Sequence, residues 1–261
     1  MSPPADHPVI LSPKVGVLLT NLGTPDAPDV GAVPPYAAAA MRIEAASVQL
    51  PIACGYLRGD VEPLTAFANE SFIDELARAR GVEPLAFRIG LLGGQPRLAR
   101  ALSQAAARGG WDGGARGSSL GIACAAGFGS VIGLLAEATI GLDQRIAVTR
   151  LVAAVDAGRL VNPGLVEQQI AGGLLHALVS ATGAAPDIIA GMIRARPLGA
   201  LGLPTLKGLP KVDVILLPSA APSGGVSGLG ALVLAPAVGN AIYAATGMRL
   251  RRLPFDPMNA A

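Results

Sequence analysis

Three glycine-rich stretches are where backbone amides of this sequence could meet a ligand: residues 55–60 (GYLRGD), 169–173 (QIAGG) and 222–230 (PSGGVSGLG). Glycine removes the Cβ barrier to close approach, and amides exposed on such loops cradle anionic or oxygen-rich groups. The same composition also builds plain turns, so by itself it does not choose between the two. Conventional catalytic sets are missing. The histidines are His7, in a proline-rich terminus, and His176, on an apolar helix face where a core role is expected. Cys54 and Cys124 lie far apart without a C-x-x-C or a neighbouring histidine, which leaves buried small hydrophobes as the expectation and gives zinc no support. No nucleophile elbow, zinc-protease helix or Walker loop occurs, and no Ser, His and Asp stand in a triad spacing.

Charge and hydropathy narrow the partners. Lys+Arg 20 against Asp+Glu 18 gives a net charge of +2, and the basic residues, nearly all arginine, are spread along the chain without a stripe dense enough to track phosphates. Nucleic-acid binding is excluded on that ground. Hydrophobic residues make up 51% but aromatics only 3%, so the core must be built of Ala, Leu and Val. A mean hydropathy of +0.52 raises the membrane question. Residues 117–136 and 214–248 are long enough and uncharged, but the first reads as two short buried strands and the second is broken by Pro218, Pro222 and Pro236 and by Gly224, Gly225, Gly228 and Gly230. No membrane span is expected. The N-terminus has neither a basic n-region nor an apolar h-region, which gives a cytoplasmic placement as the expectation for the chain as it stands.

The elements that must position these loops follow from period and punctuation. KVGVLLTNL at 14–22 has the pattern of a buried strand, followed by a Pro/Gly/Asp loop to residue 35. Phe72, Ile73, Leu76 and Ala77 space a helix over 71–80. Glu83-Pro84 opens a second helix that ends at Gly93, and 95–108 forms a third. Arg78, Arg80, Arg88, Arg97 and Arg100 are expected on a solvated outer face. Beyond Gly117 the spacing predicts strands over 120–126, 131–140 and 145–155. Asn162 caps and Pro163 starts a helix to about residue 181. Its internal Gly172-Gly173 pair costs roughly 1 kcal/mol per residue relative to Ala, which implies either a close backbone approach or a bend. A strand over 212–217 and a helix over 232–246, closed by Gly247, complete an α+β chain without internal repeats.

Several blocks carry a resemblance: VPPY at 33–36, GYLRG at 55–59, FANESFIDELA at 67–77, EPLAFR at 83–88, AAVDAGRLVNP at 153–163, QQIAGG at 168–173 and APAVGNAIYAATG at 235–247. In this order they resemble the C-terminal part of the molybdopterin-binding large subunit of molybdenum hydroxylases, the xanthine dehydrogenase and aldehyde oxidoreductase family, and within it the isoquinoline 1-oxidoreductase beta subunits. The resemblance implies that residues 33–261 are a partial molybdenum-cofactor-binding domain, since complete family members are several times longer. It implies an oxidoreductase that hydroxylates N-heteroaromatic or aldehyde substrates with water as oxygen source. Molybdenum-molybdopterin of the cytosine dinucleotide type would be the cofactor, and a small partner subunit would carry the iron-sulfur clusters. Arg58 and Gly59 match the turn beside the molybdenum centre, and Gln169 matches the glutamine that hydrogen-bonds its ligands. Gly172, Gly173, Gly225 and Ser227 complete the implied cofactor-binding set. Many relatives are exported to the periplasm by a twin-arginine signal.

This sequence departs from the family where the chemistry matters most. The family's catalytic glutamate lies in the C-terminal glycine loop, and that position here is Gly228, which cannot accept a proton; loss of a general base costs typically about 10²- to 10⁴-fold. Ala171 replaces an acidic residue of the Q-x-E-G-G pattern, and the earlier half of the cofactor site, the missing part of the large subunit, is not in the sequence. No catalytic residue is therefore assigned. A non-catalytic remnant of the same fold is the alternative. Residues 7–32, with HP at 7–8 and KVGVLLTNLGTPDAPD at 14–29, are instead similar to the N-terminus of ferrochelatase, which divides the chain at residue 32 as a natural fusion or a junction; ferrochelatase activity is not expected.

Overall fold

The computed structural model of the chain describes residues 34–37, 57–59, 62–183, 188–189, 192–194 and 197–259. The strand expected at 14–22, the ferrochelatase-like segment and Cys54 lie outside the described residues. Three helices come first: α1 (Glu62–Ala79), α2 (Pro84–Leu91) and α3 (Pro96–Gly109). Glu83 caps α2 by accepting from the Leu85 and Ala86 amides, and Gly110 in the left-handed region ends α3. Strands β1 (Leu120–Gly127), β2 (Ser130–Ile140) and β3 (Ile146–Asp156) form an antiparallel meander. Helix α4 (Pro163–Thr182) starts at the Asn162 cap and Pro163 as the sequence requires. A short hairpin of β4 (Ile188–Ile189) and β5 (Met192–Ile193) precedes β6 (Lys211–Leu216), which joins β3 in parallel, and α5 (Leu229–Thr246) ends at Gly247 with φ +76.

The sheet order is β1-β2-β3-β6, and its two faces carry different helices. Ala123, Ala125, Ile132, Leu134, Leu151, Ala153 and Val155 face α4 and α5, whereas Ile122, Cys124, Leu135, Val152 and Ala154 face α3. This is the period-2 alternation of strands buried on both sides. Two glycines let the helices reach the sheet. A Cβ on Gly121 would lie 2.2 Å from the Ala237 carbonyl and the Ala241 amide of α5, and one on Gly133 would lie 2.5 Å from the Leu102 Cα of α3. Small residues thus substitute for bulk in a core almost without aromatics: helices approach by backbone instead of filling the gap with rings.

Helix α1 begins nine residues before the helix expected at residue 71. Its first half buries Thr65, Asn69 and Glu70, which breaks the apolar period that the sequence reading relied on. Helix α5 is long and apolar enough to cross a membrane by length and composition, and 83% of it is buried against the sheet, α1 and α4.

Candidate functional site

The three glycine stretches converge on the start of α5. Gly228 is the N-cap of this helix and is buried; a Cβ built on it would lie 3.0 Å from the Gly59 amide nitrogen and 3.0 Å from Cε2 of Phe128. Gly59 itself, at φ +91, closes the turn that feeds α1, its carbonyl accepting from the Glu62 amide at 3.1 Å. Gly230, in the first turn of α5, meets α4: a Cβ there would lie 2.8 Å from the Ile170 carbonyl, and one on Gly173 would lie 3.4 Å from the Gly230 Cα. Of the two explanations open for Gly172-Gly173, close backbone approach therefore holds for Gly173, while Gly172 is exposed with nothing within 4 Å.

An ion pair holds the 218–228 loop from below. Arg97 of α3 grips Asp156 at the end of β3 with two side-chain hydrogen bonds, Nε to Oδ2 at 2.9 Å and NH2 to Oδ1 at 2.7 Å, and also donates to the carbonyls of Asp156 and Gly129. Asp156 Oδ1 accepts from the Gly158 amide. The hydrogen bond from Arg97, reinforced by that amide, outweighs burial and holds the Asp156 carboxyl down at about 2. From this fixed corner the Arg159 amide donates to Ala221, Ser223 Oγ donates to the Arg159 carbonyl at 2.6 Å, and the Gly224 amide donates to Ala157. The Gly225 amide then donates to the Phe128 carbonyl at 2.7 Å, tying the loop to the β1–β2 turn.

A second, sealed network fixes α1 and hence the Arg58-Gly59 turn. Glu70, 1% exposed, accepts from Tyr36 Oη, from Arg88 Nε at 2.9 Å and from the Cys124 amide at 3.3 Å. Asn240 of α5 donates to the Ile122 carbonyl at 3.0 Å and accepts from Arg249 NH1 at 2.7 Å; Arg249 also pairs with Asp74 at 2.9 Å and lies 4.0 Å over the Tyr243 ring. Side chains of α1 and α5 thereby satisfy the outer edge of β1, which would otherwise offer a free strand edge. Burial works against the charge on Arg88, but Glu70, Tyr36 and Asp74 outweigh it and keep the guanidinium protonated. Burial first, then the Glu70 charge, pushes the Cys124 thiol up, so it is an inert packing group.

Two sequence expectations are corrected here. Arg88 is fully buried and Arg97 is committed to Asp156, so the five arginines are not one solvated face: the carboxylates that neutralise them come from other elements and carry no local signal. His176 is exposed on α4 instead of packed in the core, because the contact face of α4 runs through Ile170, Gly173, Leu174, Ala177 and Leu178.

Three side chains next in sequence to the backbones that meet at the start of α5 hold donors without a partner among the described residues. Arg58 is half-buried beside Gly59, Ser227 is exposed beside Gly228, and Gln169 is exposed beside Ile170, and none of them has a hydrogen bond or ion pair among the described residues. No side chain caps α5. Position 228 carries no acid. A separate cleft of about 970 Å³, between the β2–β3 turn, the C-terminal end of α4 and residues 199–209, holds none of the sequence-identified site residues.

No protein-family model matches the chain. It is 28% identical over 234 residues to the isoquinoline 1-oxidoreductase beta chain of Brevundimonas diminuta, covering 87% of this chain and 30% of that protein. It is 30% identical over 270 residues to a nicotinate dehydrogenase subunit of Pseudomonas putida, covering 94% of this chain and 23% of that protein. The aldehyde oxidoreductase of Desulfovibrio gigas superposes with a TM-score of 0.65 at 16% identity over 86% of this chain and 43% of that one. The fold is that of part of the aldehyde oxidoreductase chain. The chain thus spans less than a third of the length of the curated relatives it matches, and these relatives support a resemblance to molybdenum hydroxylases. The ferrochelatase resemblance of residues 7–32 has no counterpart in the proteins named here.

The residues around α5 suit the group that this fold type implies. A guanidinium, an amide, a hydroxyl and an uncapped helix N-terminus are all donors, and that set matches an oxo- and phosphate-rich ligand. Phe128 is the site residue that sequence reading passed over. Its place between two predicted strands is visible in the sequence, but the two-residue turn and its positive φ appear only in the fold.

Proposed function

We propose that this chain forms one wall of a molybdenum-pterin site in an oxidoreductase of the molybdenum hydroxylase class, the rest of the site coming from another part of the large subunit. The observation that supports the reading is the meeting of the Gly59, Gly173 and Gly228–Gly230 backbones at the uncapped start of α5, with Arg58, Ser227 and Gln169 their near neighbours in the chain and without partners among the described residues. Gly59, Gly172, Gly173 and Gly225 complete this wall, the first and last by keeping the turn and the loop close to α5. When bound, the group supplies hydroxylation of an electron-poor carbon in an N-heteroaromatic ring or an aldehyde, with water as oxygen source. A cytosine dinucleotide form and a small iron-sulfur partner subunit belong to the same reading.

The chain's own residues bind and orient. Arg58 places positive charge beside Gly59, Gln169 and Ser227 donate from the two sides, and the Asp156–Arg97 pair and the Glu70 network keep the walls in register. They do not move a proton at position 228, where glycine leaves no acceptor, and this favours the alternative of a non-catalytic remnant for the chain by itself. The test is molybdenum content after purification from a host that makes the pterin cofactor, with and without a co-expressed iron-sulfur partner. Near-stoichiometric metal that falls severalfold in Arg58→Ala supports the reading; metal absent from both preparations, or unchanged in Arg58→Ala, removes it.

A further inference from the structure

The β1–β2 turn breaks a local rule. Gly127 pairs with Ser130, so Phe128-Gly129 is a two-residue hairpin loop, and both residues have positive φ, +55 and +78. That is the signature of a type I′ turn, in which Asn-Gly is favoured because Asn tolerates the left-handed region and a bulky residue does not. A phenylalanine here is strained. It is also one of only five phenylalanines in a chain with 3% aromatics, and it is 39% exposed at the end of a hairpin that is buried from Ser130 onward along β2. Strain that a sequence keeps where a better residue is available points to a use for the side chain.

The position of the ring indicates that use. Its Cε2 lies 3.0 Å from where a Cβ on Gly228 would be, its Cβ lies 3.1 Å from the corresponding point on Gly225, and its carbonyl is pinned by the Gly225 amide. The ring therefore covers the glycines at the start of α5, in the space an acidic side chain at position 228 would need, and shows its remaining surface to solvent near the Gly59 and Gly228 backbones. The geometry points to Phe128 as a stacking wall for a flat aromatic ring bound at the start of α5. This assignment rests on the functional reading above for its choice of site, and it names the ligand class of that site: planar rings are held by face contact with Phe128, and saturated rings of the same size and charge are not.

The experiment titrates nicotinate and cyclohexanecarboxylate into the full chain by ligand-observed NMR, with molybdenum content measured on the same samples. The two probes share a carboxylate, so the difference reads the ring. The wild type is expected to prefer nicotinate by about tenfold, the size of one good ring contact. Phe128→Tyr keeps the preference, and Phe128→Asn and Phe128→Leu lose it. Phe128→Asn is at the same time expected to raise Tm by a few degrees, since it restores the residue that the turn favours. A wild type with no preference overturns the assignment, as does a preference that survives in Phe128→Asn or Phe128→Leu. Leu also retains apolar bulk, so it decides the question if the Asn variant does not fold. Metal uptake without ring preference defeats the stacking wall alone, and ring preference without metal uptake defeats the molybdenum reading alone.

Discussion

Arg88 Nε donates to Oε2 of Glu70 across 2.9 Å with neither side chain reaching solvent, and this pair stands behind the turn that carries Arg58, not in it. It joins α1, α2 and, through the Cys124 amide, the edge of β1. Arg88→Ala would leave the Glu70 carboxylate buried with its main counter-charge gone, and such a break costs about 3–5 kcal/mol. The loss is expected in urea denaturation as a lower midpoint with an unchanged slope. A double variant, Arg88→Met with Glu70→Gln, removes both charges while the Gln oxygen still accepts from the Cys124 amide and the Tyr36 hydroxyl turns to accept from its NH2, and is expected to recover most of it. A double variant as unstable as Arg88→Ala would show that the pair contributes through shape and not charge.

Asp156 and Arg97 give the protein an acid-sensitive corner. Because the folded-state pKa of Asp156 is lowered to about 2, its contribution is complete above the ordinary carboxylate value and is lost as pH falls through about 2. The magnitude is about 1–2 kcal/mol once the partial exposure of Arg97 is allowed for. Arg97→Gln is expected to raise the Asp156 pKa, seen by carboxyl-carbon NMR titration, and to flatten the stability curve between pH 5 and pH 2 on the order expected from that loss. An unmoved pKa in Arg97→Gln would transfer the effect to the Gly158 amide.

Most of the scaffold could be read from the sequence, and the site could be read in pieces. The three meander strands, the Asn162 cap, the Glu83-Pro84 start and the Gly247 stop rest on local period and capping, which act within a few residues, and all appear where expected. The first half of α1 has no local signal, because Glu70 is held there by partners 18 to 170 residues away. The same distance hid the role of Arg88. The glycine loops were visible as composition, but their meeting at Gly228 depends on the sheet order and on α5 lying across Gly121, which no local pattern encodes. Phe128 was missed because its significance lies in a positive φ, a property of the fold.

The crowding at Gly228 makes a prediction about putting an acid there. A Cβ at 3.0 Å from both the Gly59 amide nitrogen and the Phe128 ring needs both neighbours to give by a few tenths of an ångström. Gly228→Glu is expected to cost about 1–3 kcal/mol, the usual penalty of overpacking. Because one of the two obstacles is a single ring, Phe128→Asn should relieve part of it, giving a favourable coupling of about 0.5 kcal/mol or more in a double-mutant cycle. Thermal unfolding of the four proteins measures this directly, and strictly additive shifts would place the obstruction at Gly59 alone.

The glycine pair of α4 separates what packing requires from what a ligand would require. Gly172 faces open space in a helix interior, so Gly172→Ala meets no obstacle and gains helix propensity, an expected stabilisation of about 0.5–1 kcal/mol. Gly173→Ala meets the Gly230 backbone at ordinary contact distance, and the gain and the crowding should nearly cancel. Gly230→Ala drives a methyl to 2.8 Å from the Ile170 carbonyl and 2.9 Å from the Leu174 amide, both backbone atoms in a packed helix pair, and is expected to destabilise by about 1–3 kcal/mol. The order of Tm is thus Gly172→Ala above wild type, Gly173→Ala close to it and Gly230→Ala below. Since Gly172 has no packing reason to be glycine, its variant also tests the site itself. If Gly172→Ala raises Tm yet lowers molybdenum uptake severalfold, the missing side chain at 172 serves the ligand; if uptake is unchanged, Gly172 leaves the cofactor-binding set and Gln169 and Gly173 represent α4 there.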